Sequence, residues 1–152
     1  MLIAVALAIV APGGRGAAQE KPLPGKEKPY PIFTVDHFLS AMKTVGQAYG
    51  AVNVSISKQE IEDSKAYLAI SRDRLATTIT FWRDRNKDDA IKILRETLAK
   101  MDELDIALSA EKLDTPAASA ISKQIGASCE TCHAVYREQD PGTNAFRIKN
   151  VP

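Results

Sequence analysis

Apolar residues recur at three- and four-residue spacing along most of the chain, from Thr34 to Asp140. This spacing places them on one side of an α-helix, so each segment is predicted to be a helix with one buried face. The pattern divides into four such segments and shows none of the alternation that half-buried strands require. Thr34 is a suitable N-cap for the first helix. The pattern therefore predicts an all-α protein.

Residues that favour helix ends separate the four segments. Ser57-Lys-Gln-Glu60 has the form of a capping box at the start of the second helix. Asn86 suits the left-handed turn that ends this helix, and Asp88 follows as the cap of the third. Asp114-Thr115-Pro116 opens the fourth helix with a cap and an early proline. Short connections favour antiparallel neighbours, so we predict an up-down-up-down four-helix bundle over residues 34–140.

The first predicted helix has glycines in its interior. Its buried face is predicted to contain Val35, Phe38, Leu39, Met42, Val45, Tyr49 and Val52. Gly46 and Gly50 each cost about 1 kcal/mol of helix stability relative to alanine. Their presence indicates that a bulky group or a closely crossing helix approaches the backbone there.

The two ends of the chain differ from the helical region. Residues 1–18 begin with the apolar run Met1–Ala11, which is too short to span a bilayer but suits a signal peptide, and Gly16-Ala17-Ala18 suits cleavage. An uncleaved membrane anchor is the alternative. Residues 19–33 contain four prolines and are predicted to form an extended tail. Residues 141–152 show no period and are predicted to be a C-terminal tail.

The charge balance argues against nucleic acid as a partner. The chain has 20 Lys and Arg against 19 Asp and Glu, and loss of residues 1–18 would remove Arg15 and no acid. The mature chain would therefore carry no formal net charge, whereas nucleic-acid-binding proteins typically carry a basic surface.

The chain's only cysteines lie in the motif Cys129-Glu-Thr-Cys132-His133. Cys-x-x-Cys can be a disulfide or a redox pair, but the redox motif normally opens a helix beside a sheet, and here it lies deep in the fourth helix. A zinc site built from cysteine and histidine would need a distant helix, because His37 is the other histidine.

The third interpretation is covalent attachment of one haem c, for which Cys-x-x-Cys-His is the known pattern. The two cysteines would form thioethers with neighbouring vinyl groups of one porphyrin. His133 would then place its imidazole under the iron as the proximal ligand. An export signal agrees with this chemistry, because haem c is attached outside the cytoplasm.

Two segments resemble the class II c-type cytochromes, the cytochrome c′ family. Gly126-x-x-Cys129-x-x-Cys132-His133-x-x-Tyr136-Arg137 is similar to the family's C-terminal signature. Met42-Lys43-x-x-Gly46 is similar to a segment of its low-spin, methionine-ligated members. The resemblance covers residues 34–138 and implies that the haem lies between the helices, with its distal face against the first helix.

The resemblance implies a role for several further residues. Met42 would be the distal iron ligand, although a core methionine at this position is the simpler alternative. Phe38, Val45, Tyr136 and Arg137 would surround the haem. Many family members have an arginine near the haem propionates where this chain has Phe38, so propionate contacts are not inferred.

Other candidates are interpreted as structural. In the family's fold the third helix does not face the haem, so Met101 is predicted to be a core residue. His37 lies about 140° around the first helix from Met42 and is predicted to be a surface residue. Trp82 is predicted to pack in the core.

These inferences predict a periplasmic one-electron carrier with one haem c and His133/Met42 ligation, and not an enzyme. Its partners would be periplasmic or membrane-bound redox proteins, and a homodimer is compatible with this interpretation. One alternative is a five-coordinate protein that binds NO or CO. Another is a haem subunit of a larger redox assembly.

Overall fold

The computed structural model describes residues 34–151, and this range is mostly helical. The helices are α1 (Val35–Lys58), α2 (Ile61–Thr77), α3 (Ile79–Arg83), α4 (Asp88–Leu108) and α5 (Thr115–Tyr136). Two short strands follow, β1 (Arg137–Gln139) and β2 (Phe146–Ile148).

The described range does not include the predicted signal peptide (residues 1–18) or the predicted proline-rich tail (residues 19–33). From residue 34 to residue 151, no helix combines the length and the apolar character needed to cross a membrane.

Three of the predicted helix ends are confirmed. The backbone N–H of His37 donates to the Thr34 hydroxyl oxygen at 3.2 Å, as expected of an N-cap. The Asp114 carboxylate accepts from the N–H of Ala117 at 2.9 Å. Asn86 has a φ of 53°, the left-handed conformation predicted for it.

The predicted capping box at Ser57–Glu60 is wrong. α1 continues through this segment to Lys58, and the Ser57 hydroxyl donates to the carbonyl of Val54 at 2.6 Å. Gln59 ends the helix in the left-handed conformation. Continuing the helix buries Ile56 in the core, and burial of apolar surface stabilises a helix more than one cap does.

The predicted second helix is interrupted at Thr78. The hydroxyl of Thr78 donates to the carbonyl of Leu75 at 2.7 Å, and that of Thr77 donates to the carbonyl of Arg74 at 2.6 Å. Hydrogen bonds of this type compete with the helical backbone and bend helices. The short helix α3 that follows contributes two buried aromatic residues, Phe81 and Trp82.

The fourth predicted helix ends at Tyr136, one turn before Asp140. Arg137 is extended, with φ −118° and ψ 137°, and β1 pairs with β2 in antiparallel register, Arg137 opposite Ile148. The Asp140 carboxylate accepts from the N–H groups of Gly142 and Thr143 at 2.9 Å, which closes the connecting loop. The all-α prediction therefore holds for most of the described chain. The exception is a small hairpin, whose first strand replaces the predicted end of the fourth helix and whose second strand lies in the predicted C-terminal tail.

The core lies where the long helices meet. α1 packs against α2 and α5, and α4 packs against α2 and α5. An aromatic cluster fills one end: the ring centroids of Phe38 and Phe81 are 4.3 Å apart, and those of Phe38 and Trp82 are 5.0 Å apart. Met101 is fully buried, as predicted for a core residue.

Candidate functional site

A cavity of about 590 Å³ lies among the helices and is lined by residues of all five helices and of the hairpin. Cofactor sites commonly have this volume and a mainly apolar lining. Its lining includes all eight site residues that the sequence predicted, namely Phe38, Met42, Val45, Cys129, Cys132, His133, Tyr136 and Arg137. The fold therefore brings a segment near the start of the described chain against a segment near its end.

The two cysteines lie three residues apart on α5, so both side chains reach the same face of that helix. Both are free thiols and both are half-buried. Burial raises the pKa of Cys129, and the nearby charge of Glu130 adds to this. Burial also raises the pKa of Cys132 to about 11, with Cys129 and Asp89 as further causes. A reactive redox cysteine has the opposite property, a lowered pKa.

We expect the thiols of the haem-free chain to react slowly with iodoacetamide. At pH 8 roughly one in four ordinary cysteines is ionised, but a thiol with a pKa of 11 is ionised in about one molecule in a thousand. The rate for Cys132, followed by mass spectrometry of its peptide, should therefore be far below that of the urea-unfolded chain. It should rise with pH up to about 11. Equal rates in the folded and unfolded chains at pH 8 would contradict this expectation.

His133 follows Cys132 and lines the same cavity. Its imidazole is half-buried, and this burial lowers its pKa. Arg137 lowers the pKa further, and Glu130 opposes the effect. A neutral imidazole has the free lone pair that a metal ligand needs.

Arg137 follows the last residue of α5, and its backbone N–H donates to the carbonyl of His133, one turn earlier. Its guanidinium lies 4.3 Å from the centre of the Phe146 ring, an arrangement that favours a cation–π interaction. The residue still lies beside the imidazole, held there by the hairpin.

Met42 is contributed to the cavity by α1. It is half-buried and packs against the core, and Phe38 and Val45 on either side of it are 6% exposed. His37, by contrast, is exposed and is not among the cavity residues. His37 is therefore a surface residue, as predicted, whereas iron ligation by Met42 stays a prediction.

Tyr136 joins the end of α5 to the start of α4. Its hydroxyl donates to the Asp89 carboxylate, whose two oxygens each lie 2.7 Å from it, and its ring centroid is 4.7 Å from that of Trp82. Trp82 is 3% exposed, as predicted for a core residue, and it also lines the cavity.

Two parts of the cavity wall were not predicted from the sequence. The first half of α4, the third predicted helix, lines the cavity through Ala90, Ile93, Leu94 and Thr97, although the family resemblance implied that this helix does not face the haem. The hairpin residues Phe146, Arg147 and Ile148 also line the cavity. The turn residues Asp140-Pro141-Gly142 between two short segments were a recognisable hairpin signal.

Between residues 34 and 151, no three His, Cys, Asp or Glu side chains are grouped so that they could hold a metal ion. The side chains at the cavity do suit a cofactor that already contains iron. Two thiols and an imidazole lie on one wall, a thioether sulfur comes from another helix, and the space among them is mainly lined by apolar side chains. The residues present therefore fit haem c.

Comparison of the chain with protein-family models, curated proteins and solved structures gave no match.

Proposed function

We propose that this protein is an exported c-type cytochrome that carries one electron on a single haem c. The observation that carries the proposal is the position of Cys129, Cys132, His133 and Met42 around one cavity of cofactor size. The motif in α5 and the methionine in α1 are far apart along the chain, and the fold brings them together. Their positions around one cavity would allow His133 and Met42 to hold the iron of one haem.

The residues of the cavity would have distinct roles. Each thiol, Cys129 and Cys132, would add its S–H across one vinyl group, a reaction that needs no oxidant. His133 would donate its imidazole nitrogen to the iron, and Met42 would donate its sulfur. When bound, haem c supplies a one-electron iron couple. As a soft ligand, the Met42 thioether would favour Fe(II) and so raise the reduction potential.

The fold supports the same proposal. The pairings of α1 with α2 and α5, and of α4 with α2 and α5, suit an antiparallel up-down-up-down four-helix bundle. The predicted signal peptide supports a periplasmic location, where the partners would be periplasmic or membrane-bound redox proteins. The buried apolar wall formed by Phe38, Val45 and Trp82 would exclude water from the iron.

A second candidate is a five-coordinate protein that binds NO or CO. It is favoured by the partial exposure of Met42 and by the open space beside Gly46, where an added Cβ would meet no atom within 4 Å. If the Met42 sulfur only packs against the core, one side of the iron would be free for a small gas. The spin state of the iron distinguishes the two candidates.

Haem attachment is tested by denaturing the purified protein and extracting it with acidified acetone. We expect the haem to stay with the polypeptide, because thioethers survive conditions that break iron–ligand bonds. The variant with both Cys129→Ser and Cys132→Ser is the control, and any haem that it retains should move into the organic phase. Complete extraction of haem from the wild-type chain would contradict the proposal.

A further inference from the structure

Three polar side chains connect α1 and α5 through a closed set of hydrogen bonds. The Tyr49 hydroxyl donates to the backbone carbonyl of Ser122, and the Ser122 hydroxyl donates to Oδ1 of Asn53 at 2.8 Å. Nδ2 of Asn53 donates back to the carbonyl of Tyr49 at 3.0 Å. Each donor in the set has an acceptor, and Ser122 is only 1% exposed.

This network lies at one end of the cavity. Tyr49 lines the cavity two helical turns from Met42, and Ser122 lies three turns from His133 on α5. At the other end, Trp82 connects the two helices, with its ring centroid 5.0 Å from that of Phe38 and 4.7 Å from that of Tyr136. The cavity wall that carries the candidate iron ligands lies between these two connections.

We propose that Tyr49, Asn53 and Ser122 are positioning residues that fix the register of α1 against α5 and so hold Met42 within reach of the iron. The inference rests on the proposed function, because it assumes that Met42 is the sixth ligand. None of the three residues needs to touch the iron. They act through the backbone of α1, which is rigid over the two turns that separate Tyr49 from Met42.

Removing one side chain of the network should weaken the connection between α1 and α5. Without the Tyr49 hydroxyl, the carbonyl of Ser122 loses the donor that reaches it from α1. The loss costs about as much free energy as one net hydrogen bond contributes. If the network holds the Met42-bound state, this cost moves the equilibrium toward the state in which the sulfur is off the iron. The population of that state should rise about two- to tenfold.

The experiment compares Tyr49→Phe with wild type and with Tyr67→Phe, which alters a partly exposed tyrosine on α2. The probe is carbon monoxide, mixed with the ferrous protein. Carbon monoxide reaches the iron only when Met42 is off, so its rate of binding follows the population of the open state. We expect Tyr49→Phe to bind carbon monoxide about two- to tenfold faster, with unchanged covalent haem content, and Tyr67→Phe to match wild type.

A second variant, Asn53→Ala, removes an exposed member of the network and suits a helix, so it tests the proposal even if Tyr49→Phe folds poorly. Faster carbon monoxide binding in this variant would also support the proposal. A low-spin wild type whose rate is unchanged by either variant would overturn the proposal and leave the proposed function intact. A wild type that is already high-spin would overturn both.

Discussion

Replacing Met42 with alanine should convert a low-spin ferric haem into a high-spin one. Ligation by the Met42 sulfur would give a weak far-red charge-transfer band, and this band should disappear with the sulfur. The reduction potential should fall, because the soft ligand that favours Fe(II) is lost. Carbon monoxide and NO should bind much faster, because no ligand has to leave first. Absorption spectra, a redox titration and stopped-flow mixing measure these three effects.

Substitution by leucine separates ligation from packing. Met42→Leu keeps most of the side-chain volume but cannot bind iron, so it should change the spectrum as Met42→Ala does. Met101→Leu is the matched control, because Met101 is fully buried in the core and does not line the cavity. A wild-type spectrum that is high-spin and unmoved by either Met42 variant would exclude the electron-carrier proposal and favour gas binding.

Met42→Ala should also lower the stability of the folded protein. A fully buried methionine replaced by alanine costs about 2–5 kcal/mol. Met42 is only half-buried, so Met42→Ala should cost less than that range from packing alone. Any further loss of thermal stability in the haem-loaded protein would reflect the lost iron–sulfur bond.

Local signals predicted much of the fold. The caps at Thr34 and Asp114 and the left-handed Asn86 depend on a few adjacent residues, so they could be recognised without tertiary information. The capping box at Ser57 failed because the burial of Ile56 favours one more helical turn. The break at Thr78 likewise depends on buried threonine hydroxyls, which the apolar period does not reveal.

The part of the candidate site that forms a short sequence motif could be predicted. Cys129, Cys132 and His133 lie within five consecutive residues, and attachment of a rigid haem would require that spacing. The interhelical network of Tyr49, Asn53 and Ser122 was not predictable, because it joins residues that are far apart in the chain and of ordinary type. The cavity wall formed by α4 was not predicted for a similar reason. The packing of the helices decides which face of a helix lines a cavity.

The two glycines of α1 provide a test of how far the proposed haem would extend toward that helix. The sequence suggested that a bulky group or a neighbouring helix approaches Gly46 and Gly50. Among the described residues no helix does so, because a Cβ added at either glycine would meet no atom within 4 Å. Gly46 lines the cavity and Gly50 does not, so a group held in the cavity would lie near Gly46 and not near Gly50.

We therefore expect Gly46→Leu and Gly50→Leu to behave alike without haem and differently with it. In the haem-free chain, each should stabilise the fold by about 0.5–1 kcal/mol, because glycine is unfavourable inside a helix. Urea unfolding of protein produced without haem attachment measures this effect. When haem is available, Gly46→Leu should lose most of its haem content, because the new side chain takes space in the cavity, whereas Gly50→Leu should load normally.

The comparison between the two glycines is informative because a folding defect cannot explain it. A Gly46→Leu chain that is at least as stable as wild type yet contains little haem would show that the cofactor reaches the backbone of α1 at that turn. Met42 lies one helical turn before Gly46 on the same wall of the cavity. The sixth position of the iron would then face α1. Equal haem content in the two variants would mean that Gly46 is only tolerated, and that the cavity has more space beside α1 than the haem needs.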